Sequence, residues 1–308
     1  MNANYQTAAD LFDRWREEIL TGTPPTLFTC GSGELSRIEL GPGLVTLFGG
    51  PPGAGKTAFV MQLIVDALRL NADLRALVAN VEVSPSVLLD RQLSRLSGID
   101  AERIRKRQLD ASHGDRLDAG LHALEAVADR LAFVRPPFDL GNVAAAADAH
   151  DAKLIVLDYA QRIRPPGDHG DRRGAVDALM NYLRQFADAG VAVLVVAAVG
   201  RQKDSKGRTS YAAEALSLAS FRESSELEFG ADDAFMLAPT DTPGEVLLKH
   251  LKARHGETRD LRLRFDGARQ SFTPLEAEPP PNRDPHGLQA ALERLWGPTG
   301  DDDGNEFR

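Results

Sequence analysis

The amino-acid sequence predicts an α/β fold in which a mostly parallel, twisted sheet carries helices on both faces. Short apolar segments alternate with helical ones, as in proteins whose parallel strands are joined by helical crossovers. The run Leu154 to Leu157 is wholly apolar, which is typical of a strand buried on both sides. The predicted strands are 44–48, 76–81, 131–135, 153–158 and 191–198. Two later strands, 245–250 and 261–265, are predicted to form a hairpin at the sheet edge.

The first predicted strand leads into a loop with the pattern G-x-x-x-x-G-K-[ST], and an apolar helical segment follows the loop. Strand, loop and helix in this order form a phosphate-binding P-loop, in which backbone N–H groups and a helix N-terminus surround the phosphates. We expect the ligand to be ATP or a related nucleotide, with Lys56 on the β- and γ-phosphates and the Thr57 hydroxyl on Mg²⁺. The loop consists of Gly50, Pro51, Pro52, Gly53, Ala54, Gly55, Lys56 and Thr57.

The composition is that of an ordinary globular protein, with 308 residues, 43% hydrophobic and 26% charged. The single cysteine, Cys30, excludes an internal disulfide and a cysteine-rich zinc site. We find no signal-peptide pattern and no apolar run near the roughly 18 residues that span a bilayer, so we expect a cytoplasmic protein with no membrane partner. The net charge of −9 gives no general attraction to nucleic acid, so any such binding must come from local basic patches.

The pattern divides the chain into three parts: an N-terminal helix and linker (1–36), an ATPase domain (37–274) and a tail (275–308). The tail carries eight acidic and three basic residues, a net charge of −5, and three consecutive prolines, which predict disorder. Residues 5–20 predict an amphipathic helix, with apolar side chains at three- and four-residue spacing. The sequence leaves open whether this helix packs on its own domain or docks on a neighbouring subunit.

Two carboxylates follow predicted strands and are candidates for catalysis. Asp158 ends the strand 153–158, where a Walker B aspartate would support Mg²⁺ beside the P-loop. Glu82 follows the strand 76–81 and could orient the attacking water. The plain alternatives are a strand-terminating aspartate and a helix-capping glutamate.

Taken together, these segments resemble the RecA-like motor domain of DnaB-type replicative helicases across roughly residues 40–273. The N-terminal collar domain of full-length helicases is absent, and helix 5–20 resembles the linker helix that binds the adjacent subunit. The segments that carry the resemblance are Gly50 to Thr57, Asn80-Val81-Glu82-Val83-Ser84 followed by Arg91, Leu157-Asp158-Tyr159-Ala160-Gln161, Arg222-Glu223-Ser224 and Lys252-Ala253-Arg254-His255-Gly256.

The resemblance implies a role for each matching residue. Glu82 would polarise the water, Arg91 would lie near the γ-phosphate and Asp158 would support the metal. Lys252 and Arg254 would enter the neighbouring subunit's site as trans-acting cations. For these two, the alternative is a solvated, charged strand edge.

The resemblance also implies single-stranded DNA as a partner, a homo-oligomeric ring that is a hexamer, and a replication or loader protein. Arg222, Glu223 and Ser225 match the family's DNA-facing loop, whose contacts hold the phosphate backbone. The preceding segment 201–208 carries four basic residues and one acidic residue, a charge of +3.

Two positions depart from the family pattern. Ala198 stands where the family has a glutamine that senses the γ-phosphate, and Gln202, four residues later, could replace it only with a different loop path. Ser225 stands where the family's Arg-Glu-Ser-Gly has glycine, which restricts the backbone of the DNA-facing loop.

The leading hypothesis is therefore a helicase- or translocase-like ATPase that acts on single-stranded DNA as a ring. A RecA-like switch, in which ATP gates assembly or a protein partner without unwinding, is the alternative from another class. Stimulation of ATPase activity by single-stranded DNA separates the two. A P-loop kinase for small molecules is disfavoured, because we find no arginine-rich lid.

Overall fold

A nine-stranded sheet organises the residues that the computed structural model describes, which are 5–200, 202–203, 209–210, 216–221 and 226–275. Two further strands, β6 and β7, pair separately as a two-stranded sheet. In chain order the strands are β1 Val45–Gly49, β2 Ala76–Asn80, β3 Leu131–Phe133, β4 Leu154–Asp158, β5 Ala192–Val196, β6 Gln202–Lys203, β7 Thr209–Ser210, β8 Asp233–Pro239, β9 Glu245–Ala253, β10 Leu261–Asp266 and β11 Ser271–Pro274.

One helix precedes the first strand, and the others connect the strands. The helices are α1 Ala8–Thr21, α2 Lys56–Leu70, α3 Pro85–Ser97, α4 Ala101–Arg105, α5 Gly114–Ala128, α6 Leu140–His150, α7 Arg172–Asp188 and α8 Glu226–Gly230. No helix among the described residues is long and apolar enough to cross a bilayer.

The strand order is β11-β10-β9-β8-β1-β5-β4-β2-β3. The six strands from β8 to β3 run parallel, which confirms the predicted mostly parallel sheet. The predicted late hairpin corresponds to β9 and β10, which pair antiparallel. Two strands of the nine-stranded sheet were not predicted: β8 joins this hairpin to β1, and β11 forms the edge beyond it. The short strands β6 and β7 were not predicted either.

Alternate residues of each central strand face opposite sides of the sheet, so each strand contributes to two apolar layers. In β4, Leu154 and Val156 pack in the layer that contains α2, whereas Ile155 and Leu157 pack in the layer that contains α6 and α7. This explains the uninterrupted apolar run and confirms that helices cover both faces.

The N-terminal helix α1 has an apolar face that makes no burying contact with the part of the chain that the structure describes. Thr7 and Asp10 form a capping box at its start, and Gly22 ends it in the left-handed conformation. None of its residues, all of which are described, is buried. Phe12 and Trp15 are 51% and 55% exposed, with their rings 5.6 Å apart. Of the two alternatives for this helix, packing on its own domain is not observed among the described residues.

One buried side chain attaches the edge strand β11 to α2, the helix that follows the P-loop. The Gln62 amide donates from Nε2 to the Phe272 carbonyl and accepts at Oε1 from the Phe272 N–H, both at 2.8 Å. An edge strand otherwise leaves such groups unpaired. Gln62 therefore holds the last hairpin against the nucleotide-binding half of the sheet.

We expect Gln62→Leu to lower the free energy of unfolding by about 3 kcal/mol, because two buried backbone groups of Phe272 lose their partner. Urea unfolding measures the change. The matched control is Gln185→Leu on the exposed face of α7. An equal effect of the two substitutions would contradict this role of Gln62.

Candidate nucleotide-binding site

The carboxyl ends of four parallel strands surround a cleft of about 520 Å³. The P-loop follows β1, Glu82 follows β2, Asp158 ends β4 and Ala198 follows β5. This is the edge of an open α/β sheet at which ligands bind. The sequence-predicted residues that line the cleft are Pro52, Gly53, Gly55, Lys56, Thr57, Glu82, Arg91 and Asp158.

The P-loop turns tightly between β1 and α2, as its glycines predict. Gly55 has a φ of +83°, and a Cβ atom there would lie only 2.7 Å from Cζ of Phe272. Only glycine meets both demands. Because α2 begins at Lys56, the unpaired N–H groups of its first turn face the cleft and suit a phosphate.

Lys56 lies folded against the loop that carries it. Its Nζ donates to the carbonyl oxygens of Gly50 at 2.8 Å and Pro51 at 3.0 Å. Burial lowers the pKa of Lys56, while the nearby carboxylates of Asp158 and Glu82 act in the opposite direction. Ala54 closes the loop by donating from its N–H to the Pro51 carbonyl. The loop carbonyls thus hold the ammonium group at the floor of the cleft.

Asp158 is 6% exposed, and its carboxylate is held from two sides. Asn80 donates from Nδ2 to its Oδ2 at 2.6 Å, and the Thr57 hydroxyl also hydrogen-bonds to it. Burial raises the pKa of Asp158, and the hydrogen bond from Thr57 and the charge of Lys56 oppose this rise. A hydroxyl and a carboxylate side by side are the oxygen donors that Mg²⁺ prefers, so this pair fits the predicted metal site.

Asn80 is a site residue to which sequence reasoning gave no role. Besides its bond to Asp158, its Oδ1 accepts the backbone N–H groups of Glu82 at 3.1 Å and Val83 at 2.7 Å. One amide therefore fixes both the metal-supporting carboxylate and the turn that carries Glu82. The polar residue at the end of an apolar strand was the available signal.

Two further cleft residues come from the last hairpin, and sequence reasoning missed both. Phe265, near the end of β10, and Gln270, in the following turn, line the cleft together with Glu82 and Arg91. The Phe265 ring stacks on Phe272 with centroids 4.4 Å apart. The predicted hairpin was β9–β10. The strand β11, which follows the turn that carries Gln270, and β8, which lies between β9 and β1, were not predicted.

Ala198, at the candidate sensor position, is hydrogen-bonded to the side chain of Gln161. The Gln161 side-chain amide accepts from the Ala198 N–H at 3.2 Å and donates to the Ala198 carbonyl at 3.4 Å. Ala198 lines the cleft, as predicted, but presents only a methyl group there. Gln202 lies in β6.

Lys252 and Arg254 lie at the opposite end of the strands from the P-loop of their own chain. Both donate to the Phe229 carbonyl, at 3.1 and 3.2 Å, and Arg254 also pairs with Asp232 at 3.1 Å. Asp232 contacts Val45, the first residue of β1, whereas the P-loop follows the last residue of that strand. Four residue steps of about 3.3 Å each put roughly 13 Å between these two ends.

The predicted DNA-facing residues Arg222, Glu223 and Ser225 lie outside the described residues.

We expect Asp158→Asn to leave the nucleotide-free protein at least as stable as the parent at neutral pH. Because burial raises the pKa of Asp158, its ionised form lowers folding stability above the folded-state pKa. This penalty disappears as the pH falls through that pKa toward 3.8, below which both proteins are uncharged at this position. The asparagine oxygen still accepts from Asn80, while Mg²⁺-dependent ATP turnover is lost.

Thermal unfolding without nucleotide, followed across pH, measures the effect. The control is Asp148→Asn on the exposed face of α6. An Asp158→Asn variant that melts several degrees below the parent at neutral pH would show that the carboxylate supports the fold.

Comparisons with known proteins identify the family and the fold. The family model described as the DnaB-like helicase C-terminal domain matches residues 38–274. One solved structure of an ATPase domain superposes with a TM-score of 0.75 at 18% identity, covering 89% of this chain and 100% of that one. The structure of a DnaB-like replicative helicase and its interactions with primase gives a TM-score of 0.74 at 18% identity, covering 89% of this chain and 68% of that one.

The two structures show that the fold is that of RecA-like helicase ATPase domains. The family model spans most of the chain, and its range contains the P-loop, Glu82 and Asp158. The protein therefore belongs to the DnaB-like helicase C-terminal domain family and is a replicative-helicase-like ATPase.

Proposed function

We propose that the protein is a ring-forming ATPase that moves along single-stranded DNA and hydrolyses ATP at the interfaces between its subunits. The observation that carries the proposal is the position of the two halves of the site. The P-loop, Glu82 and Asp158 lie at the carboxyl ends of the parallel strands. Lys252 and Arg254 lie at the opposite end of the strands. A head-to-tail ring, here proposed to be a hexamer, brings one end of each subunit's sheet against the opposite end of its neighbour's.

Within one subunit, each cleft residue has a chemical role. Lys56 binds the β- and γ-phosphates, and Thr57 and Asp158 hold Mg²⁺, which neutralises charge on the transferred phosphoryl group. Glu82 orients the attacking water, and Arg91 contacts the γ-phosphate from α3. We include Phe265 as the wall that contacts the nucleotide base, since its ring and the P-loop line the same cleft.

Arg254, with Lys252 beside it, stabilises the transferred phosphoryl group of the neighbour's ATP. An arginine that arrives from another subunit accelerates such reactions by about 10³-fold or more. The Arg254 side chain is 45% exposed at the sheet edge, where a neighbour can contact it.

A groove between α3 and α5 supports the same assembly. Leu93 and Leu124 line it, and its rim residues Leu89 and Leu121 are 38% and 47% exposed. The apolar face of α1 lacks a partner within its own described chain. We propose that α1 of one subunit docks in this groove on the next, which joins the subunits without blocking the ATP cleft.

Single-stranded DNA is the proposed substrate of the ring. Arg222, Glu223 and Ser225 fall where the family's DNA-facing loop contacts the phosphate backbone. The segment 201–208, with its charge of +3, is proposed to line the channel. A replication protein is the proposed protein partner, because one similar structure is a helicase described with its interactions with primase.

ATPase assays with and without single-stranded DNA test the function. We expect strong stimulation by the strand, and we expect Arg254→Ala to lower turnover about 10³-fold while nucleotide binding stays nearly intact. Arg264→Ala, an exposed arginine on β10, is the control. Turnover that ignores the strand would favour the ATP-gated switch, and full turnover in Arg254→Ala would exclude the trans-acting cation.

Trp15→Glu is expected to prevent assembly without unfolding the subunit, because no residue of α1 is buried in its own chain. Mass measured in solution with ATP reports assembly, and thermal unfolding reports the fold. Arg16→Glu, on the charged part of the same helix, is the control. A Trp15→Glu protein of the same mass as the parent would contradict docking through α1.

A further inference from the structure

Arg254 is held in a defined position at the sheet edge before any neighbour arrives. Its Nη1 lies 3.1 Å from Oδ1 of Asp232, and its Nη2 donates to the Phe229 carbonyl at 3.2 Å. Its backbone N–H also donates to the Asp232 carbonyl at 2.9 Å. The Asp232 side chain is only 3% exposed, whereas that of Arg254 is 45% exposed. A buried carboxylate thus anchors an exposed guanidinium.

Asp232 is itself tied to the start of β1, the strand that carries the P-loop. Its Oδ2 accepts the Val45 N–H at 2.8 Å and Nη1 of Arg184 at 2.7 Å. Its backbone N–H donates to the Val45 carbonyl at 2.8 Å. Arg184 in turn donates to the Gly43 carbonyl. Every anchor of this carboxylate therefore belongs to a rigid element of the sheet or to α7.

We propose that Asp232 is a positioning residue that preorganises Arg254 for the ATP site of the neighbouring subunit. The inference rests on the proposed trans role of Arg254. A long, exposed arginine must otherwise lose its conformational freedom when it meets the phosphoryl group, and fixing it beforehand removes that cost from the reaction. A buried carboxylate attached to β1 does this without touching the nucleotide.

The charge balance of the cluster supports the assignment. The Asp232 carboxylate is shared by two guanidinium groups, and Arg184 also pairs with Asp188 through Nε at 3.2 Å. Lys252, which donates to the same Phe229 carbonyl as Arg254, gives these five side chains together a net positive charge. Arg184, whose side chain is 27% exposed, and the Val45 N–H both donate to Oδ2 of Asp232, whereas Arg254 pairs with Oδ1. Asp232 can therefore orient Arg254 and still leave positive charge for the neighbour's phosphates.

Asp232→Asn tests this directly because the geometry fixes how the amide sits. Two donors, the Val45 N–H and Arg184, meet at Oδ2, so the amide oxygen takes that side. The amide N–H₂ then faces Arg254, donor against donor, and releases it. We expect turnover to fall about 10- to 100-fold, since displacing a catalytic group by about 1 Å has effects of this size. Nucleotide affinity should stay within about two-fold.

Asp233→Asn is the matched control. Asp233 is the next residue, is also buried, and pairs through Oδ1 with Nε2 of His250 at 3.0 Å rather than with Arg254. It should leave turnover within a few-fold of the parent. Equal losses in the two variants would show a general effect of losing a buried carboxylate and would overturn the proposal.

Mixed assemblies separate positioning in trans from damage to the variant's own site. Lys56→Ala has no working P-loop but carries an intact Arg254. Mixed with Asp232→Asn, it should restore turnover, because some intact clefts of Asp232→Asn then receive a correctly held Arg254. No recovery on mixing would place the defect in the subunit's own cleft and overturn the proposal.

Arg254→Ala, assayed in parallel, distinguishes failure of this inference from failure of the proposed function. Full turnover in Arg254→Ala removes the trans role itself. Loss in Arg254→Ala with full turnover in Asp232→Asn overturns the positioning role alone. If Asp232→Asn does not fold, Asp232→Glu keeps the charge and shifts it by one methylene, and the same loss with recovery in mixed assemblies is expected.

Discussion

The direction of β1 separates the phosphate-binding cleft from the two cations that are proposed to complete it. The strand ends at the P-loop, and the carboxyl ends of its parallel neighbours add Glu82, Asp158 and Ala198 to the same edge. Its first residue, Val45, lies at the opposite end of the strand, beside Asp232 and Arg254. No side-chain rotation spans a strand of this length. The phosphate-binding and cationic halves of the proposed site can therefore meet only between subunits.

The cleft holds its charges at some cost to folding stability. Burial raises the pKa of Asp158 and lowers that of Lys56, so both charged forms are less favourable here than in water. The hydrogen bonds from Asn80 and Thr57, and those that Lys56 donates to the loop carbonyls, compensate in part. Such an arrangement suits a site that awaits phosphate and Mg²⁺, because the ligands supply the missing countercharges.

Local patterns were sufficient to predict the central part of the molecule. The P-loop and the strand-ending Asp158 are contiguous motifs, and the structure places both in one cleft. The strand β8 was missed because its segment begins with aspartate, contains two alanines and ends in proline, which are all depleted in strands. Phe265 and Asp232 were missed as site residues because their roles arise from the pairing of β8 with β9 and with β1, which no local pattern reveals. For α1, periodicity predicted the helix, but only the structure shows that its apolar face is exposed.

Specific ATPase activity as a function of protein concentration, with mass in solution measured in parallel, tests the shared site most directly. If Arg254 completes a neighbour's cleft, turnover per subunit should be close to zero for the monomer and should rise in step with assembly. Turnover per subunit that stays constant while the monomer gives way to the assembled form would contradict a site formed between subunits.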